Sequence, residues 1–444
     1  MVQHIPLNPW QSNEIGNDKL AVISLNASYN IIYSMVNSKK QLEAIKIKNV
    51  NQQMIEDSFK TLYNNSTISK DLPIIKTKPN VVFLFSESWS AKFMQSYGFE
   101  KQTTPVFDRL LKNSIRSRAM IANGHRTTEG IFASLCSFQN PLGKTIAKTQ
   151  LQNFKYDSII KLFNEEKYSS AFFQGTAKDT SGTGGLVNYL GFQKSFGKRD
   201  VKIRVHEENY WGLQDPDLYN FVLTKLDESI KEPFVIGING ATTHDSLVPE
   251  DFEKKSYIEK ENLNNKLNAL SFSDFAMGSF IEETEKKYPN TIFILFSDHC
   301  GGSIAGNYEN YLIPFAIYSK KLIKPKYYDV MLSQRDIAPT INELVLGKNI
   351  NKNGFTGKSL FSSDIFFADY FKNGILGWIE NNKLIEIDIK TNKQKCFNLN
   401  HLTKESTSCN KEFNSLKTRA LSFTKVSQEL LFEGKTKEFI HYKK

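Results

Sequence analysis

Thr291-Ile292-Phe293-Ile294-Leu295-Phe296-Ser297-Asp298-His299-Cys300-Gly301-Gly302 is the stretch that decides the fold of this 444-residue chain. Its first six residues form an unbroken run of apolar and β-branched side chains, the signature of a strand buried on both faces. The run ends in an aspartate and a histidine side by side, then two glycines that permit a tight turn. Carboxylate and imidazole both suit a divalent ion, so the turn is a candidate metal site. A purely structural Asp-His turn is the alternative.

Two more runs of the same kind lie upstream. Asn80-Val81-Val82-Phe83-Leu84-Phe85 leads into Ser86-Glu87-Ser88-Trp89, and Phe234-Val235-Ile236-Gly237-Ile238 leads to Thr242-Thr243-His244-Asp245. Ser170 to Gln174 and Ile313 to Tyr318 read as further strands. Helical spacing fills the gaps at residues 104–111, 158–163, 215–226, 263–286 and 333–346. Strands alternating with helices through residues 80–346 predict an α/β fold, a mostly parallel sheet flanked by helices. Open sheets of this kind gather their ligands at the carboxyl ends of the strands, where Glu87, His244, Asp298 and His299 all fall.

Between the first two runs stands Asn123-Gly124-His125-Arg126-Thr127-Thr128-Glu129-Gly130, running into an apolar helix through Cys136. A hydroxyl at a helix mouth meets unpaired N–H groups and the positive end of the dipole, a seat that favours an alkoxide or a phosphate. One of the two threonines acts as a nucleophile, or one simply caps the helix. The glycine-rich loop from Gly175 to Gly185, with Lys178 and Asp179, reads as a flexible substrate loop, since no P-loop pattern follows it.

Composition bounds the rest. Hydrophobic residues at 40% and charged residues at 23% describe a globular protein with a sizeable core. A formal charge of +10 suits work near an anionic surface or on phosphate-bearing substrates. Basic clusters interleaved with aromatics do not stand out, which argues against nucleic acid as a partner. No apolar run is long enough to cross a bilayer; the best candidate, residues 20–36, is interrupted by Ser24, Asn26, Asn30 and Ser34. No signal peptide is visible. Cys396 and Cys409 either pair in an oxidising compartment or stay as free buried thiols.

Residues 1–79 are expected to form a helical, polar arm, residues 80–363 the catalytic domain, and residues 364–444 a small α+β subdomain. The last contains a hairpin turning at Asn381-Asn382 and a final helix over residues 411–433.

Taken as an ordered set, Asn-Val-Val-Phe-Leu-Phe-Ser-Glu-Ser at 80–88, Thr-Thr-Pro at 103–105, Arg-Thr-Thr-Glu-Gly at 126–130, Ser-Asp-His at 297–299 and Asp-Ile-Ala-Pro-Thr at 336–340 resemble one family. It is the lipoteichoic acid synthase-like phosphoglycerol transferases of the alkaline phosphatase/sulfatase superfamily. The resemblance implies that Glu87, Asp298 and His299 hold one divalent ion, Mn2+ by preference and Mg2+ or Zn2+ otherwise. It makes Thr127 the metal-bound nucleophile, with Thr128 as the fallback because adjacent threonines leave the register open. His244 would touch the substrate headgroup and protonate the leaving group, and Arg126 and Lys178 would bind substrate. The implied reaction moves a phospholipid headgroup, glycerophosphate or else phosphoethanolamine, to a glycan or glycolipid hydroxyl through a phosphothreonine. The implied setting is the extracytoplasmic (periplasmic) face of a bacterial membrane, reached through helices absent from this chain. The family's tryptophan and arginine headgroup contacts are expected near residues 180–183, where this chain has neither.

A true sulfatase needs Cys or Ser in a C/S-x-P-x-R setting, and Cys136 is followed by Ser137-Phe138-Gln139. A hydrolytic phosphodiesterase differs only in using water as acceptor. Two-metal phosphatases need further Asp and His ligands, and seven histidines with few after the strands favour one ion. A non-enzymatic domain that binds headgroups or glycans is the remaining alternative.

Overall fold

The computed structural model describes residues 44–63, 72–249, 252, 266–301, 308–348 and 352–443. Strand β1 (Asn80–Ser86) is buried at every position, as are β5 (Phe234–Asn239) and β6 (Thr291–Ser297). β1 lies between the other two, parallel to both, with Ser86 level with Ser297 and Phe85 level with Asn239. This register brings the chain segments that follow three strands to one height. β3 (Ser169–Gln174) and β4 (Lys194–Phe196) extend the sheet in parallel beyond β5. On the other side the sheet turns mixed: β8 (Phe315–Tyr318) runs antiparallel to β6, then come β2 (Ile115–Ile121), β7 (Leu312–Ile313) and β9 (Lys326–Ser333). The expected strand over residues 313–318 is broken into β7 and β8 at Pro314, which has no N–H to give the ladder.

Alternate residues of the central strands divide between two faces. Val82, Leu84, Phe173, Ile236, Phe293 and Leu295 face helices α2 (Pro105–Lys112), α6 (Asp215–Glu228) and α7 (Lys266–Lys287). Each fully buried aliphatic or aromatic side chain there contributes about 1.5–3 kcal/mol, which holds the helical layer on the sheet. Helices α3 (Thr127–Cys136), α4 (Ile159–Glu165) and α5 (Thr183–Tyr189) complete the domain with α8 (Ile337–Ile341), which widens into a π turn through Leu346.

The C-terminal part is larger than a hairpin and a helix. Five antiparallel strands, β10 (Phe367–Lys372), β11 (Ile375–Glu380), β12 (Lys383–Asp388), β13 (Gln394–Asn400) and β14 (Thr403–Thr407), form a second sheet. The β11–β12 hairpin turns at Asn381 and Asn382, both left-handed at φ 48° and 60°. Helix α9 (Lys411–Phe432) packs Phe423 against Phe367 and Trp378. Helix α1 (Gln52–Leu62) stacks Phe59 on that same Phe423. The remainder of the expected arm, residues 1–43 and 64–71, lies outside the described residues. Cys396 and Cys409 form a disulfide that pins β13 to the approach of α9.

The two sheets share one core. Ala119 and Ile121 of β2 pack with Ala368, Tyr370, Ile379 and Leu384. At its centre the fully buried Arg335 donates to Asp369 of β10 and to Thr356 Oγ1 at 3.0 Å, with its guanidinium over Phe367 and Phe423. Asp369 also accepts from Gln139 Nε2 at 2.8 Å, and its carbonyl from Asn123 Nδ2 at 2.9 Å. Residues 46–444 accordingly form one compact unit.

Candidate active site

Glu87 and Asp298 each follow a strand end that the β1–β6 register holds level, so the two carboxylates converge. With His299 they form a buried cluster whose nearest ligand atoms all lie within 4.8 Å of one another. His299 Nε2 stands 3.5 Å from Glu87 Oε1 and 3.6 Å from Asp298 Oδ2. The other ring nitrogen, Nδ1, lies 3.1 Å from the Cys300 carbonyl. A carbonyl only accepts, so Nδ1 carries a proton, and Nε2 is the ring nitrogen turned to the carboxylates, the one that would ligate an ion once unprotonated.

Each carboxylate is aimed by its own neighbours. Asp298 Oδ1 accepts the Ser88 and His299 amides at 2.9 and 2.8 Å, which leaves Oδ2 toward the cluster. Ser88 reaches this position in a left-handed conformation, φ 58°, and its hydroxyl donates to Glu87 Oε1 at 2.7 Å. The Asn239 amide at the end of β5 lies 3.4 Å from both Glu87 Oε2 and Asp298 Oδ2 and donates to the Phe85 carbonyl at 3.1 Å. Burial pushes the Asp298 carboxyl up to about 7, and the charge of Glu87 adds to it. Burial works against a charge on His299, yet Asp298 and Glu87 outweigh it and raise its pKa. Two buried carboxylates that repel each other beside an imidazole nitrogen make a donor set of hard oxygen and borderline nitrogen, which fits a divalent cation.

The two threonines separate cleanly. Thr127 Oγ1 points at Glu87 Oε2, 3.4 Å away, whereas Thr128 turns inward to Thr145 Oγ1 at 2.9 Å. Neither caps the helix: the N-cap residue is Arg126, in extended conformation and without a side-chain bond. Glu129 supplies the capping contact from within the first turn, accepting the His125 amide at 2.7 Å. Helix α3 can bring Thr127 this close because position 130 is glycine, where a Cβ would stand 2.1 Å from the Asp298 carbonyl oxygen. Gln334 ties the same parts together, donating to the Ser297 and Asp298 carbonyls at 2.9 and 2.7 Å and accepting from the Asn123 amide at 2.8 Å.

His244 sits in a short turn after β5, with Nε2 3.3 Å from Glu87 Oε1. The Thr243 hydroxyl donates to the Glu87 carbonyl and fixes that turn. Burial lowers the His244 pKa, against the pull of Asp298. Arg126 is exposed beside Thr127. Lys178, half-exposed, pairs its amine with Asp200 at 3.1 Å. The glycine-rich loop is shorter than expected: residues 180–182 form a 3-10 turn and α5 starts at Thr183.

Two residues near the cluster escaped the sequence reading. Trp211 stacks on the His244 ring with centroids 4.8 Å apart. The indole comes from an irregular segment some thirty positions beyond the place expected for a tryptophan. Lys266, the first residue of α7, reaches the turn after His299, where a Cβ on Gly301 would meet its Nζ at 2.6 Å. Only a longer run of context than the motif itself could have pointed to either. Gly302, the second glycine of the turn, lies outside the described residues.

Known structures share this architecture. An alkaline phosphatase superfamily protein from Vibrio parahaemolyticus is 21% identical, with a TM-score of 0.76 over 88% of this chain and 98% of that one. The lipoteichoic acid synthase LtaP from Listeria monocytogenes is 13% identical, with a TM-score of 0.65 over 85% and 98%. A phosphonate monoester hydrolase from Agrobacterium radiobacter is 12% identical, with a TM-score of 0.50 over 72% and 89%. At such identities the likeness is one of fold, and it is the fold of the alkaline phosphatases and sulfatases. The sulfatase family matches residues 79–347, more than half of the sequence and the whole span that carries the cluster, and the chain belongs to that family.

Proposed function

We propose that the protein transfers a phospholipid headgroup, glycerophosphate, to a glycan or glycolipid hydroxyl through a phosphothreonine at Thr127. The observation that carries this reading is the Thr127 hydroxyl at a helix mouth, aimed at a buried Glu-Asp-His cluster. A divalent ion, Mn2+ by preference, held by Glu87, Asp298, His299 and Thr127 Oγ1 would supply Lewis acidity, acidifying the hydroxyl and screening the phosphodiester charge. Thr127, its proton released to solvent, attacks phosphorus while the bond to the diacylglycerol oxygen breaks. His244 Nε2 gives the departing oxygen its proton, the anionic substrate having restored the basicity that burial removes. Arg126 and Lys266 are the cations placed to meet charge on the phosphoryl oxygens, and Trp211 offers a flat apolar wall to the headgroup. An acceptor hydroxyl, giving its proton to the His244 Nε2 left unprotonated by the first step, then forms the new bond to phosphorus as the bond to Thr127 breaks, and the threonine oxygen regains its proton from solvent.

The resemblances at residues 80–88, 126–130 and 297–299 support this choice over hydrolysis, and LtaP shares the fold that carries them. The Cys396–Cys409 disulfide supports an extracytoplasmic setting, since such bonds persist in oxidising compartments. No helix among the described residues is long and apolar enough to cross a membrane.

The test is incubation with Mn2+ and labelled phosphatidylglycerol or phosphatidylethanolamine, then mass spectrometry of the peptide containing Thr127. The expected result is a glycerophosphoryl adduct on Thr127. A phosphoethanolamine adduct would reassign the headgroup, and turnover with no adduct on Thr127 would refute the covalent mechanism.

A further inference from the structure

One residue of the cluster stands where a glycine would be at ease. Ser88 is buried and left-handed at φ 58°, a backbone conformation that glycine adopts freely and a residue with a Cβ does not. Its three polar groups are all engaged within the site. The amide donates to Asp298 Oδ1 at 2.9 Å, the hydroxyl donates to Glu87 Oε1 at 2.7 Å, and the carbonyl accepts the Gly301 amide at 2.9 Å. A single residue is thus tied to both carboxylates and to the turn that follows His299. Glycine would make the first and third of these bonds with less strain. Only the second needs a side chain, so the hydroxyl is what the strained serine adds.

That hydroxyl makes the two oxygens of Glu87 unlike. Oε1 accepts from Ser88 at 2.7 Å and has the His244 and His299 rings 3.3 and 3.5 Å away. The contacts of Oε2 are looser, with Thr127 Oγ1 and Asn239 Nδ2 each at 3.4 Å. The same Asn239 amide lies 3.4 Å from Asp298 Oδ2, which puts Oε2 and Oδ2 on the side of the cluster that the Thr127 hydroxyl faces. Oε2 is the oxygen left for an ion.

The asymmetry bears on which ion the cluster suits. Small divalent ions with a six-coordinate shell take one oxygen from a carboxylate, whereas the larger Ca2+ readily takes both. A two-oxygen grip requires Oε1 to turn to the ion as well. Ser88 opposes that turn, because its own backbone is fixed on either side by the Asp298 and Gly301 bonds. We infer that Ser88 is a positioning residue that holds Glu87 as a one-oxygen ligand through Oε2, and so sets the preference of the cluster for an ion of the size of Mn2+ over Ca2+. The inference deepens the headgroup-transfer reading and rests on its divalent ion, not on the group transferred.

The experiment is calorimetric titration of the full chain, stripped of metal by a chelator, with Mn2+ and separately with Ca2+. The parent chain should bind Mn2+ more tightly. Ser88→Ala keeps the strained backbone and removes the hydroxyl; Ser88→Gly removes both. In each variant the ratio of Mn2+ to Ca2+ affinity should fall about tenfold or more, the usual scale for losing the partner of a metal ligand. Thermal unfolding of the metal-free variants should differ, with Ser88→Gly melting above Ser88→Ala because glycine suits the left-handed turn. A ratio that moves equally in two variants of unequal stability follows the hydroxyl and not the strain. A ratio within twofold of the parent in Ser88→Gly overturns the proposal, as does a parent chain that binds Ca2+ as tightly as Mn2+. The headgroup reading fails separately: the expected change of ratio with no Thr127 adduct refutes transfer and leaves the role of Ser88 intact, whereas an adduct with an unchanged ratio does the reverse. A parent chain that binds neither ion refutes both.

Discussion

Gly130→Ala probes the contact that seats the nucleophile. The added Cβ would stand 2.1 Å from the Asp298 carbonyl oxygen, 2.8 Å from its carbon and 3.0 Å from Cα, all backbone atoms. An ordinary contact is at least about 3.2 Å, so helix α3 must retreat by about 1 Å. Overpacking of this kind costs about 1–3 kcal/mol, and the better helix propensity of alanine returns about 1 kcal/mol, leaving a net loss of about 0–2 kcal/mol. Function should suffer more than stability. Thr127 lies one turn before Gly130, and a displacement of about 1 Å at a reacting group is worth roughly a hundredfold in rate. The assays are urea denaturation, Mn2+ affinity by calorimetry and cleavage of a chromogenic phosphodiester. Gly278→Ala is the control: it sits in α7, away from the cluster, where its Cβ would meet Val106 Cγ1 at 2.5 Å. Both variants should lose comparable stability, while only Gly130→Ala loses rate and metal affinity. A Gly130→Ala protein within twofold of the parent in both would refute the reasoning.

Asp298→Asn should stabilise the metal-free protein, because a carboxyl pushed up to about 7 by burial and Glu87 holds an unfavourable charge at pH 8. The raised pKa means that the favourable contribution is full below about pH 4 and lost as pH rises through 7, so the variant gains up to about 4 kcal/mol across that window while losing its Mn2+-induced thermal shift. A variant less stable than its parent at pH 8, or one still stabilised by Mn2+, would contradict this. Burial lowers the Lys358 ammonium to about 8, so its contribution is present above about pH 10.5 and lost as pH falls through 8. The stability difference between Lys358→Met and the parent should therefore shift in favour of the variant by up to about 3 kcal/mol from pH 10.5 to pH 7, measured by denaturant titration. Cys409→Ser opens a disulfide spanning 13 positions and should cost about 3 kcal/mol; an unchanged urea midpoint would rule out a stabilising role for the bond.

The centre of the fold was legible because β1, β5 and β6 are apolar without interruption, and a strand buried on both faces leaves no other reading. The convergence of Glu87, Asp298 and His299 followed from their places after those strands. Which threonine faces them did not, since neighbours on a helix point 100° apart and only the contact of Gly130 with Asp298 sets the rotation. Strand β2 was hidden by Arg116 and Arg118; the latter is buried only because Asp329 and Asn382 receive its guanidinium. β13 and β14 were hidden because an edge with one wet face shows little apolar pattern. Lys178 drew notice through its glycine-rich setting, and its partner Asp200, twenty-two positions on, is not readable from spacing. Trp211, which stacks on the His244 ring, was not legible because an irregular segment delivers it from elsewhere in the chain.

Arg335 gives the C-terminal sheet a meaning that its position at the end of the chain conceals. A polypeptide ending at residue 363 would keep every residue of the Glu-Asp-His cluster and yet strand a guanidinium in a dry interior without Asp369, a penalty of about 3–5 kcal/mol. Gln334, the adjacent residue, braces the carbonyl of Asp298, so the damage would reach the chemistry through a single peptide link. The two sheets are thus heritable only as a pair, and grafting the second from a distant relative would require its arginine and aspartate to travel together.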